Sequence, residues 1–134
     1  MILPTIKIFL PEVQSEEIKK IIQTINEAEK KSTSEKKTVY FYFNLDEDTY
    51  WFKSDKDNAE MTEINNSSLD FYRARNEFEE RNNGIIFFRI YPEGKKDFFV
   101  LYLYDNEKKQ TYTLYFNPFS DIKIYNEELN EEEF

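Results

Sequence analysis

From Thr38 to Leu45 the chain reads Thr-Val-Tyr-Phe-Tyr-Phe-Asn-Leu, placing Val39, Phe41, Phe43 and Leu45 on alternate positions with Tyr40 and Tyr42 between them. A period of two sends neighbouring side chains to opposite sides of an extended backbone. Aromatic and β-branched residues fit a pleated surface better than a helix, so this stretch is expected to be a strand. The same logic marks Ile85–Tyr91, Asp97–Tyr104, Thr111–Phe116 and a short Ile122–Tyr125. Thr5–Leu10, with Ile6, Ile8 and Leu10 alternating and Pro11 closing it, reads as a first strand. Tyr50–Ser54 returns after the Asp46–Thr49 turn.

The connections Pro92–Lys96 and Asp105–Gln110 are short enough for hairpins, which predicts an antiparallel meander at the C-terminal end. Its strand Phe98–Tyr104 is apolar on both sides. Phe99, Leu101 and Leu103 point one way, and Phe98, Val100, Tyr102 and Tyr104 point the other. The tyrosine-rich side is expected either to be covered by the curl of the sheet or to serve as a binding face.

Two segments carry helical spacing. Ile18, Ile21, Ile22 and Ile25 fall at i, i+3, i+4 and i+7, with Ser15 as N-cap and Glu16 and Glu17 at the positive end of the dipole. Lys30 and Lys31 suit the other end, and Ser32–Lys37 reads as a linker. From Ser67 to Gly84, the Ser67…Asp70 spacing resembles a capping box, and Phe71, Ala74 and Phe78 form a stripe that predicts a second helix. On that helix Arg73–Glu77, Arg75–Glu79 and Glu77–Arg81 would be i, i+4 ion pairs on a solvated face. The expected fold is α+β: one domain over 1–134, with an antiparallel sheet of five to six strands, two helices on one face and an acidic tail from about 126 to 134.

The available chemistry is narrow. Histidine and cysteine are both absent, which removes Cys and His catalysis, Ser-His triads and Cys/His zinc sites. The two glycines, Gly84 and Gly94, cannot build a phosphate loop. Calcium-loop registers from Asp46 or Asp55 fail: the first puts Tyr50 at position 5, the second Ala59. Asp97 with Glu107-Lys108-Lys109 matches a nuclease letter pattern. However, ten extended residues separate its ends by roughly 33 Å. Twenty-seven acids offer many carboxylate pairs for glycoside chemistry, and nothing singles out one. No cofactor, metal or catalytic residue is expected, and the chain is read as a non-enzyme.

Charge is more informative. The net value of −9 is concentrated in two blocks: residues 38–72 hold eight acids against two lysines, and residues 121–134 hold six against one. That balance argues against nucleic acid and against an anionic membrane surface. No apolar run approaches bilayer length, and the N-terminus lacks the basic start of a signal peptide, so a cytoplasmic location is the simplest expectation.

Aromatic anchors amid charge suit fast, tight protein interfaces. The expected partner-binding set is therefore Asp46, Glu47, Asp48, Asp55, Asp57, Glu60 and Glu63 for steering, with Tyr50 and Trp51 as anchors. The class this points to is an acidic binding protein that neutralises a basic protein, most concretely a bacterial immunity protein or antitoxin blocking a cationic toxin such as a nuclease. Three alternatives stand beside it. One is a phage or mobile-element inhibitor of a defence nuclease. The others are a small carboxylate-dependent enzyme and a homo-oligomeric assembly protein.

Overall fold

A computed structural model of the chain describes residues 15–54, 64–118 and 122–129. The strand expected at 5–10 lies outside them. Within them, helix α1 (Glu16–Glu35) comes first. Strands β1 (Val39–Asn44), β2 (Thr49–Ser54), β3 (Asn65–Asn66), β4 (Asp70–Asn76) and β5 (Glu80–Arg81) follow, then β6 (Ile85–Ile90), β7 (Phe99–Asp105), β8 (Gln110–Phe116) and β9 (Ile122–Tyr125).

Helix α1 forms where its spacing predicts. Ser15 Oγ accepts from Ile18 N at 3.0 Å, and Ile18, Ile21, Ile25 and Ala28 are buried. The helix runs on through the segment read as a linker. Ser32, fully buried, donates from its hydroxyl to Lys37 O at 2.7 Å, and Lys36 ends the helix in the left-handed region at φ 55°.

The strands form two antiparallel sheets in place of one. The first has the order β3-β2-β1-β6 and the second β5-β4-β7-β8-β9. The meander is interrupted as well. After β6 the chain turns at Gly94 (φ 96°), bridges once between Ile90 and Lys96, and leaves for the other sheet. Hence β6 and β7 are not partners, while β7, β8 and β9 pair in sequence.

The second helix is absent, so the fold is a small α+β arrangement with one described helix. Residues 70–81 form the β4–β5 hairpin instead. A bulge between Phe71 and Arg73 explains the misleading stripe. The extra residue, Tyr72, lets Phe71 and Ala74 face inward three positions apart, which is helical spacing on an extended chain. Ser67 Oγ accepts from Leu69 N at 3.0 Å, a local turn and not a helix cap. The arginines pair differently too: Arg73 with Glu80 and Glu128, and Arg81 with Glu79.

The core lies between the sheets. Phe43 and Phe88 of the first sheet meet Phe99 of the second at centroid separations of 5.4 and 5.0 Å, and Phe88 meets Phe116 at 5.0 Å. Helix α1 packs on β1, β2 and β6 over this same inner face. The outer, tyrosine-bearing face of the second sheet is covered by the chain's own residues 126–129. Tyr102 donates its hydroxyl to Leu129 O at 2.8 Å, Thr113 Oγ1 donates to Glu127 O at 2.6 Å, and the Leu129 side chain is buried. No described helix is long and apolar enough to cross a membrane.

Candidate functional site

With α1 and the second sheet on its inner side, the first sheet presents its outer side to solvent. Register fixes what stands there. Trp51 pairs with Tyr42, and Tyr42 with Phe87, forming an aromatic row across β2, β1 and β6. Two residues along the strands, Lys53, Tyr40 and Arg89 form a second row. Two residues the other way come Thr49, Asn44 and Ile85, and beyond them the acidic β1–β2 turn.

The rings are in contact with one another. Trp51 and Tyr42 stack at 5.4 Å with 14° between planes, Phe87 lies 6.0 Å from Tyr42, and Tyr40 lies 5.8 Å from Phe87. Lys53 Nζ is 5.8 Å from the Tyr42 centroid, and the Arg89 guanidinium is 5.3 Å from Phe78 and 5.7 Å from Tyr91. Cross-strand aromatic pairs and cations over rings each add a fraction of a kcal/mol to about 1 kcal/mol, enough to pre-order the face.

Large apolar side chains that water reaches gather at its margins. Ile85, 48% exposed, alternates with Phe87 along β6; Phe78, 65% exposed, lies beneath Arg89. Continuing the β2–β3 register brings Ile64, 57% exposed, level with Trp51. These are the exposed large hydrophobics of the described residues, and all three border one sheet face. Such clustering marks interaction surfaces, whereas scattered ones mean little.

The nine residues chosen from sequence separate. Trp51 stands in the aromatic row. Tyr50, next to it, points inward: it is 1% exposed, packs among Phe41, Phe43 and Phe71, and cannot serve as a surface anchor. Burial raises its pKa above the usual phenol value, and its hydroxyl reaches Thr24 on α1.

Asp46 and Glu47 are exposed in the turn, where Asn44 Oδ1 accepts from both backbone N–H groups at 2.9 and 3.1 Å. Asp48 is half-buried and sits at φ 58°. Its carboxylate accepts from Phe71 N at 2.8 Å and ties the turn to β4. Burial raises the Asp48 pKa, the Phe71 N–H opposes that, and nearby Asp70 adds to it. Asp55, Asp57, Glu60 and Glu63 lie outside the described residues.

Sequence reasoning missed Tyr42, Tyr40, Phe87, Lys53 and Arg89 as members of this face. Tyr40 and Tyr42 were legible as the side of β1 opposite Phe41 and Phe43. Their joining with Phe87 and Trp51 depends on strand order, which a single sequence does not carry.

At the far end of the face, Arg89 is anchored through Asp97, which is 4% exposed. Asp97 Oδ2 accepts from Arg89 Nε at 2.7 Å and from Arg89 N at 3.1 Å, and Oδ1 accepts from the Tyr91 hydroxyl at 2.9 Å. The hydrogen bond to Asp97 raises the Arg89 pKa still further. Asp97 thus serves the junction of the sheets. Asp105, the next acid of the nuclease-like stretch, accepts from Glu107 N and Lys108 N in the β7–β8 turn. Among the described residues no group of three or more acids could hold a metal ion. No protein-family model, curated protein or solved structure matches this chain.

Proposed function

We propose that the chain is a non-catalytic binding protein that engages a basic protein partner through the outer face of its first sheet and the acidic turn at its end. The observation that carries this reading is the solvent-facing Trp51–Tyr42–Phe87 row lying beside exposed Asp46 and Glu47. An aromatic centre supplies the desolvated contact that holds a complex, and acids at its margin speed encounter with a cationic surface. The net charge of −9 acts in the same direction.

The most concrete member of this class is an immunity protein or antitoxin, in which acids stand where a cationic nuclease would take phosphates. Size, acidity and the absence of His and Cys support it by analogy of class.

The test is capture of proteins from a lysate of the source strain on the immobilised chain, washed at rising salt. Wild type and two variants, Trp51→Ala and Asp46→Asn/Glu47→Gln, are compared. The expected result is one basic protein retained by wild type, released by Trp51→Ala, and retained by the double variant at low salt only. Equal capture by all three would remove this face from consideration.

A further inference from the structure

The outer face of the first sheet is also polarised along its strands. Acids Asp46 and Glu47 stand past one end of the aromatic row, and the cations Lys53 and Arg89 stand at the other. Arg89 is neutralised by Asp97, which leaves Lys53 as the principal charge of that end. We propose that, before a partner is met, this face closes on a second copy of the chain. A two-fold axis lying between the two faces and crossing the strands at the aromatic row relates the copies.

The geometry of that operation follows from the strand register. The axis lays Trp51–Tyr42–Phe87 of one copy on the same row of the other. It exchanges the two ends of each strand. Lys53 lies two residues from the row, about 7 Å on an extended chain. Its image falls at Asn44, Thr49 and Ile85, two residues from the row on the other side. Asp46 and Glu47 stand just past that point, within reach of a lysine side chain.

Each copy then contributes the same contact twice, as a two-fold interface requires. Ile85 and Phe78, exposed in the single chain, lie at the face that is covered. Parallel stacking of two copies without the strand reversal would set Lys53 against Lys53 and acids against acids, so the charges also choose the orientation.

The proposal rests on the reading of this face as a docking surface and adds how it is regulated: self-association masks it, and a basic partner competes for it. The test is sedimentation velocity and light scattering over a concentration series. Trp51, the sole tryptophan, reports burial through its emission. Wild type should pass from monomer to dimer with a blue shift of that emission. Lys53→Glu should weaken the dimer about tenfold or more, because like charges then face each other. Lys53→Gln should give a smaller loss, and it covers the case in which glutamate disturbs β2. The triple variant Lys53→Glu/Asp46→Lys/Glu47→Lys restores the pairing with reversed signs and should return the dimer to near wild-type strength.

A wild-type chain that stays monomeric, a dimer indifferent to Lys53→Glu, or a triple variant no stronger than Lys53→Glu overturns the inference. A monomer that still captures a basic protein would overturn it alone. A dimer that captures none would leave it standing and remove the partner reading.

Discussion

Asn76 Nδ2 donates to Phe87 O at 2.8 Å, joining the last residue of β4 in the second sheet to the open edge of β6 in the first. The other side of the same amide accepts from Phe78 N at 2.8 Å and Glu79 N at 2.9 Å, shaping the turn that leads to β5. On the same edge Asp97 takes Arg89 N and gives its own N–H to Arg89 O. Edge strands carry unpaired backbone groups that must be satisfied. Here two side chains from the second sheet satisfy them and so clasp the layers.

Asn76 is 4% exposed, so its loss leaves three backbone groups without that partner. Asn76→Ala should therefore cost about 2–4 kcal/mol, at the upper end for a single turn residue. Urea unfolding of the variant checks this. Asn76→Asp keeps the two accepted bonds but has no donor for Phe87 O, and should fall between wild type and alanine at neutral pH.

Asp48 combines two opposing effects. Its carboxylate serves Phe71 N, yet burial and Asp70 disfavour the charge, and the pKa is raised above 3.8. A carboxyl group with a raised native pKa binds protons more readily folded than unfolded, so its contribution is most favourable in acid and is lost as pH rises through the folded pKa. Asn at this position keeps an acceptor and tolerates positive φ. Asp48→Asn should accordingly raise the urea midpoint at pH 7, and the gain should shrink as pH falls towards 3.8 and below. Equal gains at both ends of that range would mean that charge at Asp48 plays no part.

Six tyrosines, Tyr50, Tyr72, Tyr91, Tyr102, Tyr112 and Tyr125, have pKa values raised above 10, each chiefly by burial. Tyr91 is pushed up to about 12, with its hydrogen bond to Asp97 adding to burial. Their protonated forms belong to the folded state, so the contribution is full below pH 10 and is lost as pH climbs through the higher folded values. Stability should begin to fall near pH 10. Phenolate absorbance should show these residues ionising together with loss of near-ultraviolet dichroism. Smooth titration of all tyrosines in a chain that stays folded would contradict the assignment.

The strands were legible because their signal is local. Val39–Leu45 alternates in sequence and alternates in burial, and Asn44…Asp48 and Asp105…Lys109 are turns that the residue types announce. The Ser67–Gly84 segment was not, because a bulge at Tyr72 converts strand facing into helical spacing. Nor could the division into two sheets be read, since it depends on Asn76 and Asp97 meeting β6 across the fold. Half of the candidate site shares this limit. Trp51 was found from its own neighbourhood, while Phe87 and Arg89 join it through pairing with β1. Tyr50 was misplaced by one residue of register, which in a strand reverses the face.

The C-terminal segment allows charge and packing to be separated within two adjacent residues. Glu128 accepts from Tyr72 Oη at 2.7 Å and Arg73 Nη1 at 2.9 Å, but about half of its side chain is open to water. Leu129 is 4% exposed and lies beside Tyr102 and Thr113, both of which bond its backbone. Exposed ion pairs contribute little, about 0–1 kcal/mol, whereas emptying a buried leucine site costs roughly 2–5 kcal/mol. Leu129→Ala should thus destabilise the chain well beyond Glu128→Gln in urea, and only the Glu128 effect should shrink with added salt. If Glu128→Gln proves the more damaging, residues 126–129 are held to the second sheet mainly by the Arg73–Glu128 pair, and the covering of its tyrosine face depends on ionic strength.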